Sequence, residues 1–429
     1  MKMKIMTNRL LGCLLCMMTL SGMAAGVSDV VAKQRWPWSR LVDIDYMLTG
    51  EQDERVDVAL TAKDGSTTLT LPTGSLTGDL YNVVPGQKHI VWDPTQTAYT
   101  NNLTLTQFNV DLAATAVPLY MIVDLSTTPT PITYVYETDL TNGLWGSWER
   151  NPVTNRGAVV QSVIWTGVTT NDIYKTDKLV LRRIPAGSYY EGDDDGSKEA
   201  NVTLTKGLYA GVFAITQQQW KRVMTGGTGT DTQAKHTISY WEIREGPGNS
   251  DDPAVDWPSN KTVNANSFMG RLRTMTGISE FDLPTEAQWE YACKAGTTTV
   301  FNDGKADAKY TGTTAYNNGK TNTYLNVLGW YRFGAPTPPT VTQSVGNKAP
   351  NAWGLYDTHG NIWEWCLDWW DGSPEIGIDP DGAKSGSHRV RRGGAWGTTA
   401  DGCRSAYRNL LLPDNQYVDR GFRLMRTLP

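Results

Sequence analysis

The chain has 429 residues, and at roughly 150 residues per domain this length predicts two or three folded units. Its 39 basic and 44 acidic side chains give a net charge of −5 without a long basic run, which argues against a nucleic-acid partner. The 17 Trp, 19 Tyr and 42 Gly residues indicate an aromatic-rich, loop-rich extracellular protein, with a surface suited to a protein or glycan partner.

The N-terminus has the pattern of a secretory signal peptide. Lys2, Lys4 and Arg9 precede an apolar run over residues 10–20, and small residues follow near positions 24–26. This pattern predicts a signal peptide over residues 1–25 that is removed on export. The apolar run is too short to span a membrane, and no later segment has the roughly 18–20 apolar residues of a membrane helix. We therefore expect an exported protein, periplasmic, cell-surface or secreted, without a membrane span.

Short strand-like segments follow, separated by turn residues such as Asp64-Gly65 and Pro85-Gly86. They lie at residues 42–48, 56–60, 67–71, 89–92, 108–112 and 119–125. Strands of this length and spacing predict an all-β sandwich over residues 27–126, similar to an immunoglobulin or fibronectin type III module. No catalytic group assembles in this region, so we expect a spacer or adhesion module.

A second domain is predicted over residues 176–428, after a linker region at residues 127–175 that is rich in Thr, Asn, Gly and Pro. Within this domain, Thr285 and Gln288 have the spacing of a helix capping box, in which each side chain satisfies a backbone N–H group of the other residue. The role of this motif is structural.

A strand with a two-residue period is predicted from Asn361 to Trp370. One face of the strand carries Trp363, Trp365, Leu367 and Trp369, and the other carries Ile362, Glu364, Cys366 and Asp368. Such a strand is expected deep in a core, where the carboxylate of Glu364 needs either an arginine or a metal ion as its partner.

Five segments resemble, in the same order, motifs of the formylglycine-generating enzyme (sulfatase-modifying factor) family. They begin at Leu283 (Leu-Pro-Thr-Glu-Ala-Gln-Trp-Glu-Tyr-Ala-Cys), Gly354 (Gly-Leu-Tyr-Asp-Thr-His-Gly-Asn-Ile-Trp-Glu-Trp), Arg392 (Arg-Gly-Gly-Ala-Trp), Cys403 (Cys-Arg-Ser-Ala-Tyr-Arg) and Gly421 (Gly-Phe-Arg). The resemblance covers residues 176–428 and implies a C-type-lectin-like α+β fold for this domain.

The resemblance also implies a calcium site. The family binds calcium with an Asn or Asp side chain, two backbone carbonyl groups and a Glu from the matching stretch, which here correspond to Asp357, Gly360, Ile362 and Glu364. These oxygen donors suit calcium. An arginine-paired, purely structural Glu364 is the alternative.

The family's copper site is only half present in this sequence. The enzymes bind copper through two cysteines that follow the Gly-Gly turn, and Thr398 stands where the first cysteine is expected. Cys403 is the one candidate catalytic residue and copper ligand in this segment. Because copper(I) prefers a pair of thiolates, the resemblance alone does not imply oxidase activity.

The disulfide pattern stays open. Cys13 and Cys16 leave with the signal peptide, so the mature chain keeps Cys293, Cys366 and Cys403. An odd count in an oxidising compartment permits one disulfide and one free thiol, or an intermolecular bridge. The resemblance implies pairing of Cys293 with Cys403, and pairing of Cys366 with Cys403 is the alternative.

Basic and aromatic residues are concentrated near the C-terminus. One interpretation of the arginines is salt bridges to acidic residues on neighbouring strands. The other is a basic, aromatic-rimmed pocket for an anionic or glycan ligand, formed by Trp396, Arg404, Tyr407, Arg408 and Tyr417.

Three functions are therefore considered. The first is an exported family member that serves as a binding or structural module without formylglycine formation. The second is an oxygen-dependent oxidoreductase of the formylglycine-generating type, acting on a protein cysteine. The third is a ligand-binding protein diversified by a retroelement, since such proteins share this fold and resemble the segments at Cys403 and Pro413.

Overall fold

The computed structural model describes residues 25–428, except 36–38, 51–55, 70, 72–74, 81–82, 97–106, 144, 156–157, 193–199, 247–253, 305–323 and 334–337. The predicted signal peptide lies almost wholly outside the described residues. The chain divides into two compact units, Met1–Val117 and Pro118–Pro429. No helix among the described residues is long and apolar enough to cross a membrane.

The first unit is all-β, as predicted. Its strands are β1 (Gly26–Gln34), β2 (Val42–Thr49), β3 (Val56–Asp64), β4 (Thr67–Thr68), β5 (Leu76–Gly78), β6 (Gly86–Trp92) and β7 (Phe108–Ala116). They form two antiparallel sheets with the orders β1-β2-β6-β5 and β4-β3-β7. β2 alternates between buried and more exposed residues along its length, because every second side chain faces the shared core. Ile44 and Trp92 from one sheet and Val58 from the other belong to that core.

The second unit is a mixture of strands and short helices. Its first elements are β8 (Tyr120–Asp124), β9 (Ile132–Val135), α1 (Glu137–Thr141), β10 (Glu149–Asn155), β11 (Ala158–Ile164), α2 (Ile173–Thr176), β12 (Lys178–Ile184), β13 (Gly187–Glu191), β14 (Ala200–Leu204), β15 (Leu208–Gly211) and α3 (Gln217–Thr225). They are followed by α4 (Phe268–Thr276), β16 (Phe281–Asp282), α5 (Glu286–Lys294), α6 (Leu325–Leu328), β17 (Trp363–Trp369), β18 (Gly377–Ile378), β19 (Arg389–Arg392), β20 (Asn409–Leu411), β21 (Arg420–Gly421) and β22 (Met425–Thr427).

Two sheets dominate this unit. The larger has the order β16-β22-β15-β12-β8-β9, and the smaller has the order β20-β19-β17-β21. Trp365 and Leu367 of β17 join Phe422 and Phe268 in a core cluster that also receives residues of the larger sheet. β22, near the C-terminus, lies in the same sheet as β8, which begins at residue 120, so residues 118–429 form one compact unit.

The predicted domain boundaries need correction. The segment at residues 119–125, expected in the sandwich, forms β8 and pairs with β12 of the second unit, where Met121 is opposite Leu181. Residues 127–175, expected to be a linker, contain β9, α1, β10, β11 and α2. β8 is buried at Tyr120 to Val123, and a short apolar run of this kind does not identify by itself the sheet in which it pairs.

The predicted capping box at the start of α5 is confirmed. The Thr285 hydroxyl accepts from the Gln288 backbone N–H at 3.1 Å, and the Gln288 side chain accepts from the Thr285 N–H at 3.1 Å. α5 ends at Ala295 and Gly296, which both adopt positive φ angles. The capping box fixes the start of α5, and α5 packs against β17 and β19, the strands that form the candidate site.

Candidate functional site

The candidate site is built around β17, all seven residues of which are buried. β17 lies between β19 and β21. Trp365 is opposite Arg391 in antiparallel β19, and Trp363 is opposite Arg420 in parallel β21. Because side chains alternate along a strand, Trp363 and Trp365 project to one face of the sheet, and Glu364 projects to the other. The two faces carry different charge arrangements.

On the second face, Glu364 forms a buried ion pair with Arg423. Both residues are only 1% exposed. The Arg423 guanidinium donates from Nη2 to Glu364 Oε1 at 2.9 Å and from Nε to Oε2 at 3.1 Å. Trp289 Nε1 adds a hydrogen bond to Oε2 at 2.7 Å, and Arg423 also donates to three backbone carbonyl oxygens. This is the arginine partner that the sequence left as the alternative to a metal ion.

The turn before β17 holds the other residues of the predicted calcium site. Asp357 and Gly360 have φ angles of 56° and 92°, and a Cβ atom on Gly360 would lie 2.1 Å from the carbonyl oxygen of Trp330. Asp357 Oδ2 accepts from the Gly346 N–H at 2.7 Å. Its Oδ1 is buried and has no hydrogen-bond partner.

Burial raises the pKa of Asp357 to about 6, and the nearby charge of Glu364 contributes in the same direction. The Gly360 carbonyl already accepts from the Ile362 N–H at 2.8 Å. A buried carboxylate oxygen without a donor fits a cation ligand, because such an atom is otherwise costly to desolvate. No cluster of three or more His, Cys, Asp or Glu side chains with metal-binding geometry is found among the residues that the structure describes; the expected calcium site relies on backbone carbonyls for two of its four ligands.

The three cysteines of the second unit are free thiols, which corrects both expected disulfide pairings. Cys403 packs in an apolar cluster with Phe301 and Tyr331. Cys293 and Cys366 belong to a different cluster, with Trp289 and Val390. Cys403 thus packs in a different apolar cluster from its two expected partners.

Cys403 has the surroundings of a structural residue. It is 0% exposed, its backbone carbonyl oxygen lies 2.8 Å from Nδ1 of His359, and its sulfur packs closely against Gly394. Burial raises the pKa of the thiol above its ordinary value, and the charge of Asp401 adds to this. Thr398, at the expected place of the first copper cysteine, uses its hydroxyl to accept from the Ala395 N–H at 3.0 Å.

The structure separates the five predicted pocket residues into two groups. Arg408 forms a bidentate ion pair with Glu286 at 2.6 and 2.7 Å, and Arg404 pairs with Asp401 at 3.0 Å. The charges of both arginines are therefore neutralised by carboxylates. Trp396 is half-buried, with a buried Nε1 that has no hydrogen-bond partner.

Tyr407 and Tyr417 lie on the tryptophan face of β17. The ring of Tyr407 is 6.1 Å from that of Trp363. Tyr417 is 50% exposed and lies against Arg420, whose guanidinium carbon is 5.0 Å from the ring centroid. The guanidinium carbon of Arg391 is 4.7 Å from the Trp363 ring centroid.

Arg391 and Arg420 are thus the basic residues that lie against Trp363 and Tyr417 on this face, and the predicted pocket set omitted both. A signal was present in the sequence, because alternation along Arg389–Arg392 puts Arg391 on the opposite face from Arg392. What the sequence did not provide was the strand order that brings Arg420 to the same face.

A buried charge network lies on the opposite face, between α5 and β19. Arg392 pairs with Glu290 and lies 3.5 Å from Glu286, and Lys294 pairs with Glu290 at 2.9 Å. Glu191 is 2% exposed, and neither carboxyl oxygen has a hydrogen-bond partner. Burial, with repulsion from Glu290, raises the pKa of Glu191 to about 9.

A separate cavity of about 640 Å³ lies beside β16 and β22. Its lining includes Lys206, Trp257, Lys261, Asp282 and Asp381. Charges of both signs line it, and none of the five predicted pocket residues belongs to it. Leu367 of β17 does line the cavity.

A mostly β, α+β unit with short helices and long irregular connections, built around a buried tryptophan-rich strand, defines a C-type-lectin-like domain of the formylglycine-generating enzyme type. The chain belongs to the family described as sulfatase-modifying factor enzyme 1-like domain (FGE-sulfatase), which matches residues 169–428.

Several proteins are similar in sequence. The formylglycine-generating enzyme of Thermomonospora curvata is 32% identical over 197 residues, which are 43% of this chain and 60% of that protein. The formylglycine-generating enzyme of Mus musculus is 31% identical, over 56% of this chain and 73% of that protein. The chaperone protein LppX of Paenibacillus barcinonensis is 25% identical, over 60% of this chain and 92% of that protein.

Two solved structures are also similar. Treponema denticola variable protein 1 has 23% identity and a TM-score of 0.41, with 65% of this chain and 99% of that chain covered. PvdO from Pseudomonas aeruginosa has 22% identity and a TM-score of 0.43, with 58% of this chain and 94% of that chain covered.

Proposed function

We propose that residues 118–429 form an exported binding module on the fold of the formylglycine-generating enzymes, without their oxidase activity. The observation that carries this proposal is the environment of Cys403. Its thiol is fully buried in an apolar cluster, and its raised pKa keeps it protonated at neutral pH. A protonated, inaccessible thiol is a poor nucleophile and a poor ligand for copper.

The donor set around Cys403 does not fit a copper site. Thr398 offers a hydroxyl that is already engaged by Ala395, and the other two thiols, Cys293 and Cys366, lie in a separate cluster. Copper(I) prefers soft sulfur donors, and the segment that resembles the copper site offers only the buried thiol of Cys403. We therefore assign no step to copper.

Formation of formylglycine is the test that separates the two leading functions. The purified protein is loaded with copper, supplied with oxygen and reductant, and incubated with a Cys-x-Pro-x-Arg peptide whose mass is followed. The enzyme from Thermomonospora curvata serves as the positive control. We expect no conversion under conditions in which the control converts the peptide. Conversion that disappears in Cys403→Ser would overturn the proposal and make Cys403 a catalytic ligand.

Calcium is proposed as a structural ion of this module, held by Asp357 and the carbonyl groups of Gly360 and Ile362, while the Glu364 carboxylate keeps its hydrogen bonds from Arg423 and Trp289. The support is the buried Oδ1 of Asp357, which has no protein donor. The charge of Arg423 balances only one of the two carboxylates, so a cation beside Asp357 would also lower the repulsion between Asp357 and Glu364.

Thermal melting tests the calcium proposal. We expect calcium chloride to raise the melting temperature of the wild type and to have little effect on Asp357→Asn, which keeps the shape of the side chain but loses its charge. Asp401→Asn, in the half-buried pair with Arg404, is the matched control and should respond like the wild type. The same melting temperature with calcium and with a chelator would exclude the site.

Export is also a proposal, supported by the basic residues and apolar run of the first 25 residues. Expression of the full chain in a bacterial host, followed by N-terminal sequencing of the recovered protein, tests it. We expect a mature N-terminus near residues 24–26, and a protein that keeps Met1 and stays in the cytoplasm would contradict the proposal.

A further inference from the structure

The tryptophan face of β17 carries two buried guanidinium groups side by side. Arg391 is 8% exposed and Arg420 is 9% exposed. They come from strands on either side of β17, and their backbone partners are Trp365 and Trp363. The charge of Arg391 lowers the pKa of Arg420, in addition to the larger effect of burial, so the two cations are close enough to repel each other.

Several other buried arginines of this domain have carboxylate partners, although Arg182 donates to backbone carbonyls and a serine hydroxyl. Arg389, on the same strand as Arg391, pairs with Asp256 at 2.7 Å and Glu245 at 3.3 Å, and Arg423 pairs with Glu364. Arg391 donates instead to the neutral amide oxygen of Asn409, at 3.3 Å from Nε and 3.0 Å from Nη2. A buried charge without a counter-charge is costly.

The two guanidinium groups differ in their counter-charges. Asp419 pairs with Arg420, whereas Arg391 has no carboxylate partner among the residues that the structure describes. Each guanidinium also has a buried N–H group without a hydrogen-bond partner, at Nη1 of Arg391 and at Nε of Arg420. An oxyanion between them would supply both the missing charge and the missing acceptors.

Aromatic rings border the two guanidinium groups. Trp363 lies under Arg391, Tyr407 is next to Trp363, and Tyr417, half-exposed, lies against Arg420. Rings in these positions fix the planes of the guanidinium groups by cation–π contact. Tyr417 is 50% exposed, so this edge of the arrangement reaches the protein surface while the guanidinium groups lie beneath it.

We propose that Arg391 and Arg420 form an oxyanion subsite, which holds a carboxylate, sulfate or phosphate group of the ligand of this domain. The subsite rests on the proposed function, because it names the chemistry recognised by the binding face. The rigid fork of guanidinium matches the oxygens of such groups, and an uncharged ligand would leave Arg391 without a counter-charge.

The test is isothermal titration of the full chain with acetate, sulfate and phosphate as potassium salts at constant ionic strength. We expect saturable binding of at least one anion, and the anion that binds identifies the oxyanion class. Arg391→Gln and Arg420→Gln should each weaken that affinity about tenfold or more, since a hydrogen bond to a charged group is removed. Arg271→Gln, which removes an exposed charge on α4, should leave the affinity unchanged.

Thermal melting of the same variants without added anion distinguishes a loss of anion affinity from a loss of folded protein. Because Arg391 and Arg420 repel each other, we expect Arg391→Gln to melt at the same temperature as the wild type or higher. A large loss of melting temperature, together with wild-type affinity in the folded fraction, would identify both arginines as structural and overturn the subsite. Absence of saturable binding for all three anions would overturn it as well. Neither result depends on conversion of the Cys-x-Pro-x-Arg peptide. The anion subsite and the absence of oxidase activity are therefore tested by independent experiments, and either proposal can be refuted without the other.

Discussion

Loss of the guanidinium of Arg423 should be among the most destabilising single changes in the second unit. Arg423→Met keeps a long apolar stem but removes both hydrogen bonds to Glu364, at 2.9 and 3.1 Å. The Glu364 carboxylate, 1% exposed, would keep only the Trp289 N–H as a donor. Removal of one partner from a buried ion pair costs about 3–5 kcal/mol. That is a large fraction of the roughly 5–15 kcal/mol by which a domain is stable.

The assay is urea unfolding followed by tryptophan fluorescence, with Arg423→Met, Glu364→Gln and the double variant compared. The matched control is Arg271→Met, an exposed arginine that should stay within about 0.5 kcal/mol of the wild type. Because the two sites share one interaction, the double variant should be less destabilised than the sum of the single variants, by at least about 1 kcal/mol. Single variants as stable as the control, or fully additive losses, would refute the reasoning.

Three further predictions concern α5, the buried acid of β13 and the thiols. Thr285→Ala removes the cap of α5 and should cost about 1 kcal/mol in the same urea assay, whereas Thr285→Ser should stay near the wild type; equal values for both variants would contradict the capping role. Burial raises the pKa of Glu191 from an unfolded value of 4.5 to about 9, so its contribution to stability is complete below pH 4.5 and is lost as the pH rises through about 9. Glu191→Gln should therefore be more stable than the wild type at pH 8 and equally stable at pH 4, and a reversed order at pH 8 would contradict this sign. Iodoacetamide should leave Cys293, Cys366 and Cys403 unmodified in the native protein and modify all three in denaturant without reductant; a peptide with two of these cysteines joined would contradict the free thiols.

The sequence predicted local structure where a short pattern decides it. The alternation along residues 42–48 and the capping pair Thr285–Gln288 both appear in the structure. In each case, the physical cause is confined to a few neighbouring residues: a side chain that faces every second position, or a hydroxyl three residues from the N–H group that it caps. The family motifs also predicted the fold of the second unit, because they occur in the family's order and the family match covers residues 169–428.

The domain boundary was misplaced because strand pairing is not a local property. The sequence of residues 119–125 is compatible with the last strand of a sandwich and with the first strand of another sheet. The pairing of β8 with β12 decides between these two positions. The same reason applies to the cysteines. Their count permitted a bridge, but Cys403 packs with Phe301 whereas Cys293 packs with Trp289.

The amino-acid sequence by itself determined that Glu364 is buried and needs a positive partner, since it alternates with tryptophans on a core strand. Only the tertiary structure decided that Arg423, 59 residues later, is a partner. The sequence likewise determined that the C-terminal region is rich in arginine, but burial and strand order decided which arginines are neutralised. Arg408 forms an ion pair with a carboxylate on α5, while Arg391 donates to the amide oxygen of Asn409. The partner of each arginine depends on which strands and helices pack together, and these are distant in the sequence.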